Sequence, residues 1–91
     1  MSIVDQKLHQ FQQRYGKELG RFLIERLAQY EGDFIEDNEK ITKYMFVERG
    51  NTDEDARIED FKTNHSEDRV WHNFITHPKS QRSFNLLISY R

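Results

Sequence analysis

The sequence predicts an α+β domain in which a long N-terminal amphipathic helix packs on a small antiparallel sheet of two to four strands. Three observations predict this class: a helical apolar stripe in the first third of the chain, an alternating segment at its end, and a β-rich segment between them. Ninety-one residues suit a single domain spanning 1–91. Seven Phe, four Tyr and one Trp are typical of a chain that folds around a core.

The long helix is predicted from Val4 to Tyr30. At about 100° per residue, its apolar side chains fall within one arc of about 160°. They are Val4, Leu8, Phe11, Tyr15, Leu19, Phe22, Leu23, Leu27 and Tyr30. Gly16 and Gly20 lie one turn apart on the flank of this stripe. Either the helix is continuous and the glycines allow a close backbone approach, or it breaks near Gly16; the continuous helix is the leading interpretation.

Two further segments are predicted as strands. Lys40–Glu48 is rich in β-forming residues and is followed by a turn signal at Arg49-Gly50-Asn51. Ser83–Tyr90 alternates in polarity, which is the clearest strand pattern in the chain. Its apolar face carries Phe84, Leu86, Ile88 and Tyr90. We expect this face and the helical stripe to form the core.

Residues 53–63 and 66–76 allow two interpretations. As two more strands, Arg57–Thr63 and Arg69–Thr76, they complete a four-stranded antiparallel meander, which is the leading hypothesis. As two short helices, the first is capped by Thr52 or Asp53 and the second by Ser66. The Val, Trp, Phe and Ile of the second segment favour a strand, whereas the acid-rich first segment favours neither.

Charge changes sign along the chain. Residues 1–29 carry a net charge of +2, residues 30–68 a net charge of −8, and residues 69–91 a net charge of +4 with no acid at all. The formal total of −2 conceals these blocks. Blocks of one sign indicate what kind of partner a protein attracts, and they say little about chemistry.

The acidic block gives the leading functional hypothesis, a small interaction protein that binds another protein. Carboxylates spaced a few ångströms apart along a surface can imitate the phosphates of DNA. The most specific form of this hypothesis is an inhibitor that binds a host nucleic-acid enzyme. Small size, aromatic richness and lack of cysteine suit a phage or mobile-element accessory protein. The candidate residues are Asp33, Glu36, Asp37, Asp53, Glu54 and Asp55. We expect the last three in an exposed loop beside Gly50.

The basic block gives the alternative, a module that binds RNA or single-stranded nucleic acid. Bases contact phosphates, and aromatic rings stack on unpaired nucleobases. The candidate residues are Arg69, Trp71, His72, Lys79, Arg82 and Arg91. The chain lacks an RNP-type aromatic motif, a GXXG loop and zinc-finger spacing.

Catalytic, cofactor and metal motifs are absent from the sequence. There is no cysteine, no Gly-rich phosphate loop and no Gly-flanked Ser nucleophile, and a His72–Glu48 pair is not selected by any spacing. We therefore expect neither an enzyme nor a cofactor or metal. Absence of cysteine, of a signal sequence and of a membrane-spanning run favours the cytoplasm. The glycine flank and Arg26 on the apolar side of the helix predict a homodimer.

Overall fold

The fold is α+β, as predicted, with three helices and one three-stranded antiparallel sheet in the described part of the chain. The computed structural model describes the backbone of residues 3–36 and 40–91, and the side chains of residues 7–31 and 40–91. The elements are α1 (Ile3–Tyr15), α2 (Lys17–Glu36), β1 (Ile41–Glu48), α3 (Glu54–Asn64), β2 (Arg69–Thr76) and β3 (Ser83–Tyr90). The chain divides into two compact units, residues 1–38 and 39–91. The single domain expected from the length stays a prediction.

The first unit is a pair of helices, so the continuous helix is wrong and the break at Gly16 is confirmed. Gly16 adopts φ +94°, a left-handed conformation that favours glycine. Its N–H donates to Gln12 O and its carbonyl accepts from Gly20 N, both at 2.9 Å, so one residue ends α1 and begins α2. A Cβ at Gly20 would lie 2.6 Å from Gln12 N. The two helices thus pack with their backbones in contact.

The buried side of α2 matches much of the predicted stripe. Leu23 and Leu27 are fully buried and Leu19 nearly so. Ile24, which lies outside the predicted stripe, is also buried. Phe11 and Phe22 are only half-buried, contrary to expectation. The prediction assumed one continuous helix with a constant 100° rotation per residue. Because the chain breaks at Gly16, that rotation does not carry over from α1 to α2, and the predicted positions of the two rings are inaccurate.

The second unit is built around β3. The sheet order is β1-β3-β2, and both neighbours pair antiparallel with β3. The predicted strands 40–48, 69–76 and 83–90 are confirmed, but the fourth strand of the meander is wrong. A central strand has neighbours on both sides, and all six residues from Phe84 to Ser89 are buried.

Residues 54–64 form α3 and not a strand, which settles the ambiguous first segment. Ile58 and Phe61 are its buried side chains, spaced i, i+3 as a helix requires. They pack with Val47 of β1 and Leu87 of β3. A helix does therefore pack on the sheet, and within the second unit it is α3.

Candidate functional site

Four exposed carboxylates lie along α3. Asp53 occupies the position before its first turn but makes no capping hydrogen bond through its side chain, and Asp55, Glu59 and Asp60 follow on the helix. None of the four has a hydrogen-bond or ion-pair partner for its side chain among the described residues. We call Asp53, Asp55, Glu59 and Asp60 the α3 acids. The segment at 53–55 is thus the start of a helix, and the exposed loop expected there is wrong.

Glu54 differs from its neighbours because it is tied to the sheet. Its Oε1 accepts the backbone N–H of Gly50 at 2.9 Å, and its Oε2 accepts the amide N–H of Asn85 at 2.7 Å. The Gly50 bond, followed by the Asn85 bond, lowers the pKa of the Glu54 carboxyl below its ordinary value of 4.5. Glu54 is half-buried and anchors the first turn of α3 through these two bonds.

Asn85 extends this contact across β3 to His72. The Asn85 amide nitrogen also donates to Val47 O at 3.1 Å, which leaves the amide oxygen to accept. His72 Nε2 lies 2.9 Å from that oxygen and therefore carries the proton. The amide is fully buried and all of its polar atoms are bonded. His72 is thus oriented by Asn85, and the pair that can be drawn between His72 and Glu48 is not formed.

Glu48 instead pairs with Arg82. Arg82 Nε donates to Glu48 Oε2 at 2.7 Å, and Arg82 Nη2 donates to Glu48 Oε1 at 2.8 Å, a bidentate contact. This hydrogen bonding lowers the pKa of the Glu48 carboxyl below its ordinary value of 4.5. The guanidinium also lies 5.5 Å from the ring centroid of Phe84. Arg82 is accordingly committed to holding the end of β1 beside β3.

Asp68 also accepts several hydrogen bonds that join neighbouring segments, at the opposite end of the sheet from Glu48. Its Oδ1 accepts Arg91 Nε, and its Oδ2 accepts the hydroxyl of the fully buried Ser89 at 2.9 Å and that of Thr42 at 3.0 Å. The Arg91 bond, followed by the Ser89 bond, lowers the pKa of the Asp68 carboxyl below its ordinary value of 3.8. The same contact raises the pKa of Arg91. We call Glu48, Glu54 and Asp68 the bonded acids.

The six basic and aromatic candidates do not form one surface. Arg69 and Arg91 lie at one end of the sheet, whereas Lys79 and Arg82 lie at the other, beyond strands about 25 Å long. Trp71 and His72 point to opposite faces of β2 because they are adjacent on a strand. Arg69 lies 4.8 Å over the ring of Tyr90.

The six acidic candidates are also divided. Asp53 and Asp55 belong to the α3 acids, and Glu54 is bonded to the sheet. Asp33 and Glu36 belong to α2, but their side chains lie outside the described residues, as does the whole of Asp37. Sequence reasoning omitted Glu59 and Asp60 from the site. On a helix, Glu59 lies one turn after Asp55 and on the same face. A helical interpretation of 54–64 would therefore have added Glu59 to the site.

A cavity of about 430 Å³ lies beside the Asp68 cluster. Its walls are Thr42, Asn64, His65, Ser66, Glu67, Asp68 and Arg91. Since Asp68 and Arg91 bond to each other, this cavity offers a ligand few uncommitted charges. Within the described residues, no three His, Asp or Glu side chains are grouped so that they could hold a metal ion. No described helix is long and apolar enough to cross a membrane.

Comparison with protein-family models, curated proteins and solved structures finds no match to this chain. The α3 acids are therefore the candidate site on geometry alone. They are the carboxylates of the second unit that the fold positions on an exposed helix without using them for its own contacts.

Proposed function

We propose that this protein is a non-enzymatic, cytoplasmic interaction protein that binds a basic surface of another protein through the α3 acids. The observation that carries the proposal is their exposure without an ion-pair or hydrogen-bond partner among the described residues. The bonded acids have such partners in the same unit. A charge that makes no hydrogen bond or ion pair within the fold is available to a partner.

Helix geometry supports a binding role because it fixes the spacing of the charges. Asp55 and Glu59 lie one turn apart, about 6 Å along the helix axis. Asp53 and Asp55 also suit the positive end of the helix dipole, which gives them a structural reason to be acidic. Glu59 lies beyond the first turn, where the dipole no longer favours an acid, so a binding role accounts for it better.

The partner surface that fits is one that normally holds nucleic acid. Such a groove is lined with Lys and Arg that contact phosphates, and a rigid set of carboxylates competes for them. An inhibitor of a nucleic-acid enzyme is the most specific form of this proposal. The nucleic-acid-binding alternative has less support, because Arg82 and Arg91 already hold carboxylates at 2.7 and 2.6 Å.

Competition with DNA tests the proposal. The immobilised protein is exposed to a cell lysate, and captured proteins are eluted with a short DNA duplex or, as a control, with an uncharged polymer at the same mass concentration. We expect elution by the duplex alone, since duplex and α3 acids compete for one groove. Capture that the duplex leaves untouched contradicts the DNA-mimic form of the proposal.

A gel shift tests the alternative with the same protein. Labelled single-stranded RNA and DNA are titrated with the chain at low and moderate salt. We expect no shift at either salt concentration. A shift that weakens steeply with salt would show phosphate contacts and would favour the basic candidates.

A further inference from the structure

A cavity of about 290 Å³ lies between β1 and α3, within the second unit. It is bordered by Lys43 and Met45 of β1 and by Arg57, Asp60, Phe61 and Asn64 of α3. Side chains two residues apart share one face of a strand, and side chains three or four apart share one side of a helix. Each wall is therefore supplied by one side of a regular element. We call this space the β1–α3 cavity.

Arg57 differs from the other arginines of this unit. Arg82 and Arg91 each hold a carboxylate. The guanidinium groups of Arg49 and Arg69 lie over aromatic rings, at 5.1 and 4.8 Å from the ring centroids. The guanidinium of Arg57 has no such partner among the described residues, although Arg57 is half-buried. Because burial of a charge is unfavourable without a counter-ion, a bound anion would stabilise this position.

Lys43 adds a second cation from the opposite wall of the β1–α3 cavity. It is exposed, and its amino group has no hydrogen-bond or ion-pair partner in the described part of the chain. Asp60 borders the same cavity and is also exposed. Two cations and one carboxylate leave the wall with a net charge of +1, with His65 counted as neutral. This charge matches a ligand with one negative charge better than a dianion such as phosphate.

The rest of the wall is apolar and aromatic. Phe61 is buried, and Met45 packs against the core cluster to which Phe61 belongs. The ring of His65 also borders the cavity and lies 4.6 Å from the ring of Phe61, at an interplanar angle of 38°. Since the core holds these side chains, the wall is formed before a ligand binds, and its rings suit an aromatic ligand. The volume indicates a small one, because ligand sites typically measure about 300–1,000 Å³.

We propose that the β1–α3 cavity binds a small aromatic carboxylate. The carboxylate lies between Arg57 and Lys43, where each cation donates a charge-assisted hydrogen bond, and the ring lies against Phe61 and Met45. This site is separate from the partner-binding surface proposed above, because Asp60 is the one α3 acid that borders the cavity.

One chain supplies every wall of this site, so it needs no second copy. The homodimer predicted from the glycine flank and Arg26 stays a separate prediction. Gly20 contacts the backbone of α1 within one chain. Arg26 is exposed, and its guanidinium lies 5.4 Å over the ring of Phe22. These two features therefore have an explanation within the first unit.

Isothermal titration calorimetry with 2-naphthoate tests the site on the wild-type protein at neutral pH. Two matched probes separate its parts, since 2-naphthol has the same rings without the charge and acetate has the charge without the rings. We expect 2-naphthoate to bind with a Kd at least about tenfold lower than either control, because it meets both parts of the wall. No binding of 2-naphthoate at millimolar concentration, or equally tight binding of either control, overturns the proposal.

Arg57→Gln and Lys62→Gln distinguish the cavity from the overall charge of the helix. Both remove one positive charge from α3, but Lys62 does not border the cavity. We expect Arg57→Gln to raise the Kd of 2-naphthoate about tenfold and Lys62→Gln to leave it unchanged. Asp60→Asn should lower the Kd, because it removes the negative charge of the wall. Equal weakening in the two Gln variants, or an unchanged Kd in Arg57→Gln, overturns the proposal.

Methyl NMR of the methionines locates the ligand with the charged residues of the cavity intact. The chain has two methionines, so Met45→Leu identifies the Met45 methyl signal by its loss. A naphthalene ring against Met45 should shift that signal in the wild-type protein as 2-naphthoate is added. A Met45 signal that stays in place at a saturating concentration of 2-naphthoate overturns the proposal.

Discussion

The second unit contains two kinds of carboxylate, and the contrast between them separates folding from binding. The bonded acids each accept two or more hydrogen bonds at 3.0 Å or less, and their pKa values lie below the ordinary ones. The α3 acids are exposed and make no such bonds with described residues. Glu54 and Asp55 are neighbours in sequence yet belong to different kinds. Net charge along a sequence therefore overstates the charge that a partner can meet.

The largest effect is expected where the bonded acids meet the core. Asn85→Ala removes the three side-chain hydrogen bonds of a fully buried amide, those to Glu54, Val47 O and His72. We expect the free energy of unfolding to fall by about 1–3 kcal/mol, measured by urea denaturation. Asn64→Ala, an exposed Asn on α3, is the control and should change it little. An unchanged free energy of unfolding in Asn85→Ala would mean that the Asn85 network does not stabilise the fold.

Acid should weaken the fold through the bonded acids. Because the folded protein lowers their pKa values, the unfolded chain takes up protons first as the pH falls. Their stabilisation is thus complete above about pH 4.5 and is lost as the pH falls through the lowered values. Urea denaturation at a series of pH values checks this. Asp68→Asn should be less stable at neutral pH and lose less on acidification, whereas an unchanged pH dependence would refute the role of Asp68.

The smallest effect on stability is expected at the α3 acids. Asp55→Asn with Glu59→Gln removes two exposed charges, and exposed substitutions typically change the free energy of unfolding by about 0.5 kcal/mol or less. The melting temperature should match wild type. A clear drop would show that these side chains stabilise α3, which would remove the distinction between the two kinds.

Much of this fold follows from sequence periodicity. Ser83–Tyr90 alternates strictly and is a strand, while Leu19, Leu23 and Leu27 repeat every four residues and are buried on a helix. Residues 54–64 were ambiguous because only Ile58 and Phe61 are apolar enough to mark a face, and two positions do not define a period. The two glycines left a break and a close backbone approach as alternatives, and the structure shows both: the break at Gly16 and the close approach of α1 at Gly20.

The site was less predictable than the fold. Composition indicates an acidic segment, but which carboxylates are bonded depends mainly on partners 21 to 34 residues distant, such as Arg82 for Glu48 and Ser89 for Asp68. The same holds for the bases, since Arg91 is neutralised by Asp68 across the end of the sheet. Sequence distance hides these pairs, and only the register of the strands reveals them.

The most direct test measures melting and partner capture together in two variants. The first variant removes the charges of the four α3 acids (Asp53→Asn, Asp55→Asn, Glu59→Gln, Asp60→Asn), and the second is Glu48→Gln. A control variant matches the first in net charge by changing four other acids to Gln: Glu18, Glu25, Glu31 and Glu67. We predict that the α3 variant melts like wild type and captures no partner, while Glu48→Gln melts earlier and still captures it. The charge-matched variant should also capture the partner. An α3 variant that retains capture would contradict the account.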